Sequence, residues 1–312
     1  YLKFEANENY YKGEPSVKNI VFQIIENADT AILALQNGEV DAYQMTPQQV
    51  KKLDLDASNL TAYSYTEGRV GYLQINCNRV TDENVRKALL FAMDRKAMDD
   101  AAFESDEYYS IPYTFLPTNS QFYTEDGVEK YEQDVDKAKS MLEEAGVSGL
   151  KLKLGYISSD AVQSAQALLI QEQLKEVGVT VELAGGDGTA IANAMKDPDN
   201  EYDMYLGGYI MGIDPDTFSS LFENDGAYNY MHYSGYDTID QLFEEGRSEL
   251  DESARKETYA KLQAAVQDTG AFYPIISNNK ILVVNNRIQG VEDAGLVPVY
   301  TFEDTSSLKI AE

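Results

Sequence analysis

The chain has 312 residues, with 25 Lys and Arg against 53 Asp and Glu, and a formal net charge of −28. Such a surface repels phosphate backbones and anionic lipid head groups, so nucleic acid is excluded as a partner unless a local basic patch overcomes it, and the sequence shows none. A single cysteine, Cys77, excludes an intrachain disulfide and a CxxC pair, and a single histidine, His232, leaves too few ligands for an ordinary zinc site.

Residues 17 to 25, VKNIVFQII, read as a buried strand rich in β-branched and aromatic side chains. Asp29 or Thr30 can cap a helix through Ala31, Ile32, Leu33, Ala34 and Leu35, ended by Gly38, after which VDAY, residues 40 to 43, resumes as a strand in a β-α-β unit. GYLQIN, residues 71 to 76, alternates as a strand does. Thr81 or Asp82 then caps a helix whose Val85, Ala88, Leu89, Ala92 and Met93 form one buried stripe, leaving Glu83, Arg86, Lys87 and Asp94 to water.

A helix is expected over 134 to 145, a strand with one wet face over LKLKLGY, 150 to 156, and a helix over 160 to 177 ended by Gly178. VTVELA, 179 to 184, is a strand, 189 to 196 a helix, and YDMYLGGYI, 202 to 210, the next strand. Helices over 236 to 247 and 253 to 268, then FYPII and KILVVN, close the pattern. Strands alternating with helices predict an α/β architecture with parallel or mixed sheets.

The composition, 43% hydrophobic and 25% charged, is that of a folded globular chain. No run approaches the 18 to 20 apolar residues of a membrane span, and the first residues, YLKFEANENYYKG, lack a charged segment followed by an apolar one.

Several stretches invite a chemical reading. Asp214-Pro215-Asp216 suggests calcium, but counting from Asp214 the EF-hand pattern meets Phe218 and Ser219 where a ligand and a glycine belong, so a proline-stiffened turn is expected instead. Gly186-Asp187-Gly188 lies between a strand and a helix as a dinucleotide loop would, yet Ile191 occupies the third glycine position. His232 is the one possible base for a Ser-His-Asp hydrolase, and no GxSxG elbow exists; a partly packed loop histidine is the expectation. A glycosidase needs only two carboxylates, so an α/β hydrolase of that kind stays open as the alternative. A lobe acting as a surface interaction module is the third reading. Tyrosine is abundant, 23 against no tryptophan, and clusters at Tyr202, Tyr205 and Tyr209 and at Tyr228, Tyr230, Tyr233 and Tyr236, which suits a surface that reads mixed polar and apolar ligands.

Three segments together resemble a family. ANENYYKGEPSVKNIVFQIIENADTAILALQNGEVDAY is similar to the stretch of extracytoplasmic solute-binding proteins of the peptide and nickel ABC-transporter family that reads ANPxYW, then an ALQ-x-GE-x-D helix end. INCNRVTDENVRKALLFAMDRKAM resembles the family's D-x-x-V-R-x-AL-x-x-A-x-DR motif, and YIMGIDPDTFSSLF its G-W-x-x-D-x-x-DP strand end and turn. The segments keep the family's order over essentially the whole chain.

The resemblance implies a two-lobed periplasmic-binding-protein-like (type II) α/β fold, with mixed sheets flanked by helices, that closes on a peptide or other small solute and delivers it to a membrane permease. It implies no catalysis, no cofactor and no metal, a monomer outside the cytoplasm, and membrane attachment only through a lipid anchor absent from this chain. Residues 1 to 67 would be the C-terminal part of lobe I, 68 to 278 a complete lobe II, and 279 to 312 the return segment and tail, so a piece of a longer protein with part of its cleft wall missing is expected. Gly207, Gly208, Tyr209, Ile210 and Gly212 are the expected ligand-lining backbone, with Tyr72, Asn76 and Tyr273 beside them. Glycines there would let a ligand backbone approach closely. The family's tryptophan is Tyr209 here, and its aspartate for a peptide amino terminus falls at Met211 or Gly212, so a different ligand group is expected to be read.

Overall fold

The computed structural model describes residues 1–103, 106–210, 214–233, 235, 237–298 and 300–311. These divide into two compact units, Tyr1–Glu67 with Asn279–Glu312, and Gly68–Asn278.

In the larger unit the sheet runs in the order Phe272–Asn285, Arg69–Ile75, Met204–Ile210, Lys151–Ile157, Thr180–Gly186. The first three pair antiparallel and the last three parallel, so the sheet is mixed. Its two faces feed two cores, as period-two alternation requires. Leu73, Ile75, Leu152, Leu154, Met204 and Leu206 join the helices Glu83–Phe91, Arg95–Phe103, Val135–Glu144 and Ala161–Glu176. Tyr72 and Phe272 join an aromatic core of Phe115, Phe122, Phe218, Phe222, Phe243 and Tyr259, closed by the helices Asp237–Ser248 and Glu252–Asp268.

Local chemistry explains where these helices begin. Asp82, Asp134, Asp160, Asp187 and Asp251 each sit at an N-cap, their carboxylates accepting free backbone N–H groups of the first turn. Gly146 and Gly178 follow two of the helices with φ of +68° and +81°, a conformation that favours glycine. The Lys151–Ile157 strand keeps its wet side, where Lys153 pairs with Glu201 at 2.7 Å.

Three expectations in this unit change. Arg86, placed in water by the helical stripe, is buried; its guanidinium donates to the carbonyls of Thr269, Val80 and Thr81 at 2.9 to 3.2 Å, and those acceptors offset its desolvation. The Arg95–Phe103 helix was not foreseen as a separate element. FYPII and KILVVN are one continuous strand, Phe272–Asn285.

In the smaller unit, residues 279–285 of that strand pair antiparallel with Leu60–Thr66 and with Ala42–Met45. Tyr65, Leu282, Val284, Val291, Ala294 and Leu308 form its core. The helix Ala28–Gln36 is capped by Asn27, not by Asp29 or Thr30. The expected buried strand is the largely exposed Asn19–Phe22, paired only with Leu2–Glu5; Phe22 is 59% accessible, its ring meeting Phe4 of the paired strand at 5.8 Å. Since Asn19–Phe22 and Ala42–Met45 join different sheets, the expected β-α-β unit is not formed.

Candidate functional site

Gly207, Gly208, Tyr209 and Ile210 lie on the strand Met204–Ile210, which leaves the core partway along its length. Met204 to Gly207 are buried, whereas Gly208 and Ile210 are exposed, Ile210 to 43%. One edge of this strand pairs throughout with Arg69–Ile75. The other edge meets Lys151–Ile157 only at Met204 and Tyr205. Beyond Tyr205 no other described strand pairs there, so the edge from Leu206 to Ile210 is open among the described residues.

The glycines do not leave empty space. The Tyr72 ring lies across Gly207; a Cβ there would come within 2.6 Å of Tyr72 Cε2 and 3.0 Å of Tyr205 Cε1. Gly208 and its register partner Gly71 lie on the opposite face, where a Cβ on Gly208 would overlap the Arg69 guanidinium and one on Gly71 would meet Ile276 Cγ2 at 2.8 Å and Arg69 Nη1 at 3.3 Å. The pair seats a long cationic side chain that no sequence pattern had marked.

Tyr209 is half-buried and lies within an aromatic chain. Its ring centroid is 5.6 Å from Phe218 and 5.8 Å from Tyr228, Tyr228 is 6.5 Å from Tyr230, and Tyr230 is 5.5 Å from Tyr205. Tyr205 and Tyr209 of one sequence cluster and Tyr228 and Tyr230 of the other are therefore one surface-reaching group, in tilted and edge-on contacts that aromatic quadrupoles favour. Burial pushes the Tyr230 hydroxyl up to about 12 and Tyr72 up as well, so both are neutral donors at ordinary pH.

Two of the weaker candidates lie elsewhere. Asn76 is fully buried; its side chain accepts from Asn78 N at 3.0 Å and donates to the Pro198 carbonyl at 3.3 Å, which makes it a turn-stabilising residue. Tyr273 is also fully buried, its hydroxyl donating to the Met93 carbonyl at 3.1 Å and its ring carrying the Arg95 guanidinium 4.0 Å from its centroid. Period-two alternation places Tyr273 on the core face beside Leu73, a consequence of register that sequence alone did not reveal. Gly212, like Met211 and Tyr236, lies outside the described residues.

The acidic corner, the glycine pair and the lone histidine have structural roles. Asp214 caps the short turn Pro215–Phe218 and pairs with Arg255 at 3.1 Å, while Asp216 pairs with Arg247 at 2.8 Å. No group of three or more His, Cys, Asp or Glu among the described residues is disposed to hold a metal. Asp187 is spent as a helix cap, and His232 Nε2 meets the Met195 carbonyl at 2.9 Å. The Cys77 thiol is buried and pushed up to about 11 by that burial, which leaves it unreactive. Among the described residues no helix is long and apolar enough to cross a membrane.

This mixed α/β fold is that of the type II periplasmic binding proteins. The chain superimposes with a TM-score of 0.91 and 37% identity on the ABC transporter substrate-binding protein CtaP from Listeria monocytogenes, covering 99% of this chain and 64% of that one. A putative peptide-binding protein AppA from Clostridium difficile gives 0.88 and 32%, with the same coverage. Residues 1–230 match the profile of bacterial extracellular solute-binding proteins, family 5 middle, and the chain belongs to this family. Among curated proteins it is 26% identical to the oligopeptide-binding protein AppA of Bacillus subtilis, over 92% of this chain and 55% of that protein. It is 23% identical to the nickel-binding periplasmic protein of Escherichia coli, over 99% and 62%. The chain thus spans little more than half the length of these two relatives. All four are named for binding or for transport, and none for catalysis.

Proposed function

We infer that this chain is the larger part of the substrate-binding component of an ABC importer, which takes up an extended peptide outside the cytoplasm and passes it to a membrane permease without chemical change. In this reading Gly68–Asn278 is a complete lobe II, Tyr1–Glu67 with Asn279–Glu312 is part of lobe I, and the protein works as a monomer.

The observation that carries the reading is the edge of the strand Met204–Ile210 beyond Tyr205, with which no other described strand pairs. It offers backbone N–H and C=O groups to an incoming strand beside exposed Gly208, with Tyr209 and Ile210 to meet side chains. A peptide bound by its own backbone along such an edge is held largely without regard to sequence, which suits an importer of mixed peptides. The likeness to proteins named for peptides supports the same ligand class.

Native mass spectrometry of the purified protein tests this. A co-purified, unmodified peptide is the expected result for the full-length protein, whereas these 312 residues alone, which span little more than half of their curated relatives, are expected to bind poorly, and micromolar calorimetric binding by them would overturn that expectation. Glycoside turnover abolished by substitution of an Asp or Glu pair would overturn it in favour of the hydrolase.

A further inference from the structure

The chain contains seven arginines, at 69, 79, 86, 95, 247, 255 and 287. Six have defined structural partners. Arg79 pairs with Asp203, Arg247 with Asp216, Glu223 and Glu244, Arg255 with Asp214, and Arg287 with Asp41, while Arg86 and Arg95 donate to buried carbonyls. Arg69 differs. Its side chain makes no hydrogen bond or ion pair with any described residue, although the chain carries 53 acids that could have supplied a partner.

Its position is built. Arg69 faces Ile210 across the ladder, and the register partners Gly71 and Gly208 present a bare strip over which its guanidinium lies, half-buried next to exposed Gly208. A side chain at either glycine would crowd it. Guanidinium carries a planar fork of N–H donors that matches a carboxylate, and a cation with no acid beside it among the described residues concentrates the attraction for an anion at one spot.

We propose that Arg69 is a specificity residue of the peptide site: it binds a carboxylate of the ligand, the C-terminal one or that of an acidic side chain, over the Gly71–Gly208 strip. This rests on the peptide reading above and names the class of peptide that the site takes.

The test is calorimetric titration of the full-length protein with three probes: a penta-alanine with a free C-terminus, the same peptide amidated at its C-terminus, and an amidated peptide with one alanine replaced by glutamate. All three are N-acetylated, so that no ammonium contributes. A carboxylate-bearing probe is expected to bind about 10- to 100-fold more tightly than the uncharged amide, the size of a charge-assisted hydrogen-bonded pair. Preference for the first probe identifies the C-terminal carboxylate and preference for the third the side chain. Arg69→Gln should abolish the preference while the amide binds as before, and Arg69→Lys should restore part of it. Because Arg69 has no described partner to lose, the melting temperature of Arg69→Gln should match that of the parent. Equal binding of all three probes, or a preference unchanged in Arg69→Gln, overturns the assignment and leaves peptide binding standing. Binding of none of the three by the parent protein overturns the peptide reading and this assignment with it.

Discussion

The strand pair Arg69–Ile75 and Met204–Ile210 shares one hydrogen-bonded ladder, yet its two ends are built from opposite materials. At the Ile75–Met204 end Leu73, Ile75, Met204 and Leu206 are wholly buried. Just beyond it, Asp203 accepts from Arg79 Nε and from Lys153 N, both at 2.7 Å, and its carbonyl accepts Asn76 N at 2.9 Å. At the Arg69–Ile210 end the ladder carries two glycines, a guanidinium without a partner among the described residues and an exposed isoleucine. Stability collects where apolar area is removed from water and polar groups are satisfied. Residues at the open end contribute little to it, which leaves them free to be chosen for a ligand.

The largest effect should come from removing the anchor of the closed end. Asp203→Ala leaves the Lys153 amide without its acceptor and Arg79 without its carboxylate, and should cost about 2 to 4 kcal/mol of unfolding free energy in urea titrations. A loss well under 1 kcal/mol would erase the contrast between the two ends.

A pH dependence sharpens the same contrast from inside the core. Asp99 is buried, with Oδ1 accepting from Gln166 Nε2 at 3.4 Å and Oδ2 without a partner among the described residues. Desolvation pushes this carboxyl up to about 8. An acid that holds its proton more tightly when folded weakens the fold as the pH rises from the usual carboxylate range towards 8, by up to about 1.4 kcal/mol per unit. Outside that window the two states bind equal numbers of protons and the term is flat. Asp99→Asn should remove this slope, so that its advantage over the parent in urea titrations is larger at pH 8 than at pH 5. An unchanged slope in Asp99→Asn would assign the pH dependence to other groups.

Much of this was legible in the sequence, because helix stripes, aspartate caps and strand alternation are local. The elements of residues 134 to 210 lie within a few residues of their expected positions, and the Asp214-Pro215-Asp216 corner is the turn that proline and aspartate favour. What escaped depends on register and on distant partners. Arg86 reads as a wet residue until the Thr269 carbonyl is brought to it, and Tyr273 reads as a rim tyrosine until its pairing with Leu73 turns it inward. Arg69 escaped for the same reason. A single arginine before a strand is unremarkable until Gly71 and Gly208 are found opposite each other.

The smallest predicted effect is the sharpest test of the comparison, because it sets two adjacent glycines against each other. Gly207→Ala drives a methyl into Tyr72, which is buried and packed on Phe272 at a centroid distance of 4.9 Å and so cannot move aside; a loss of about 1 to 3 kcal/mol is expected. Gly208→Ala meets only the far end of a flexible, unpartnered Arg69, and neither glycine has a positive φ that a side chain would strain. Its cost in urea titrations should be about 0.5 kcal/mol or less. Yet Gly208→Ala moves the guanidinium off its strip, so its discrimination between carboxylate and amide peptides should fall while its stability holds. Equal destabilisation by the two substitutions would mean that the open end is packed as firmly as the closed one. An intact carboxylate preference in Gly208→Ala would mean that the glycine strip does not position Arg69.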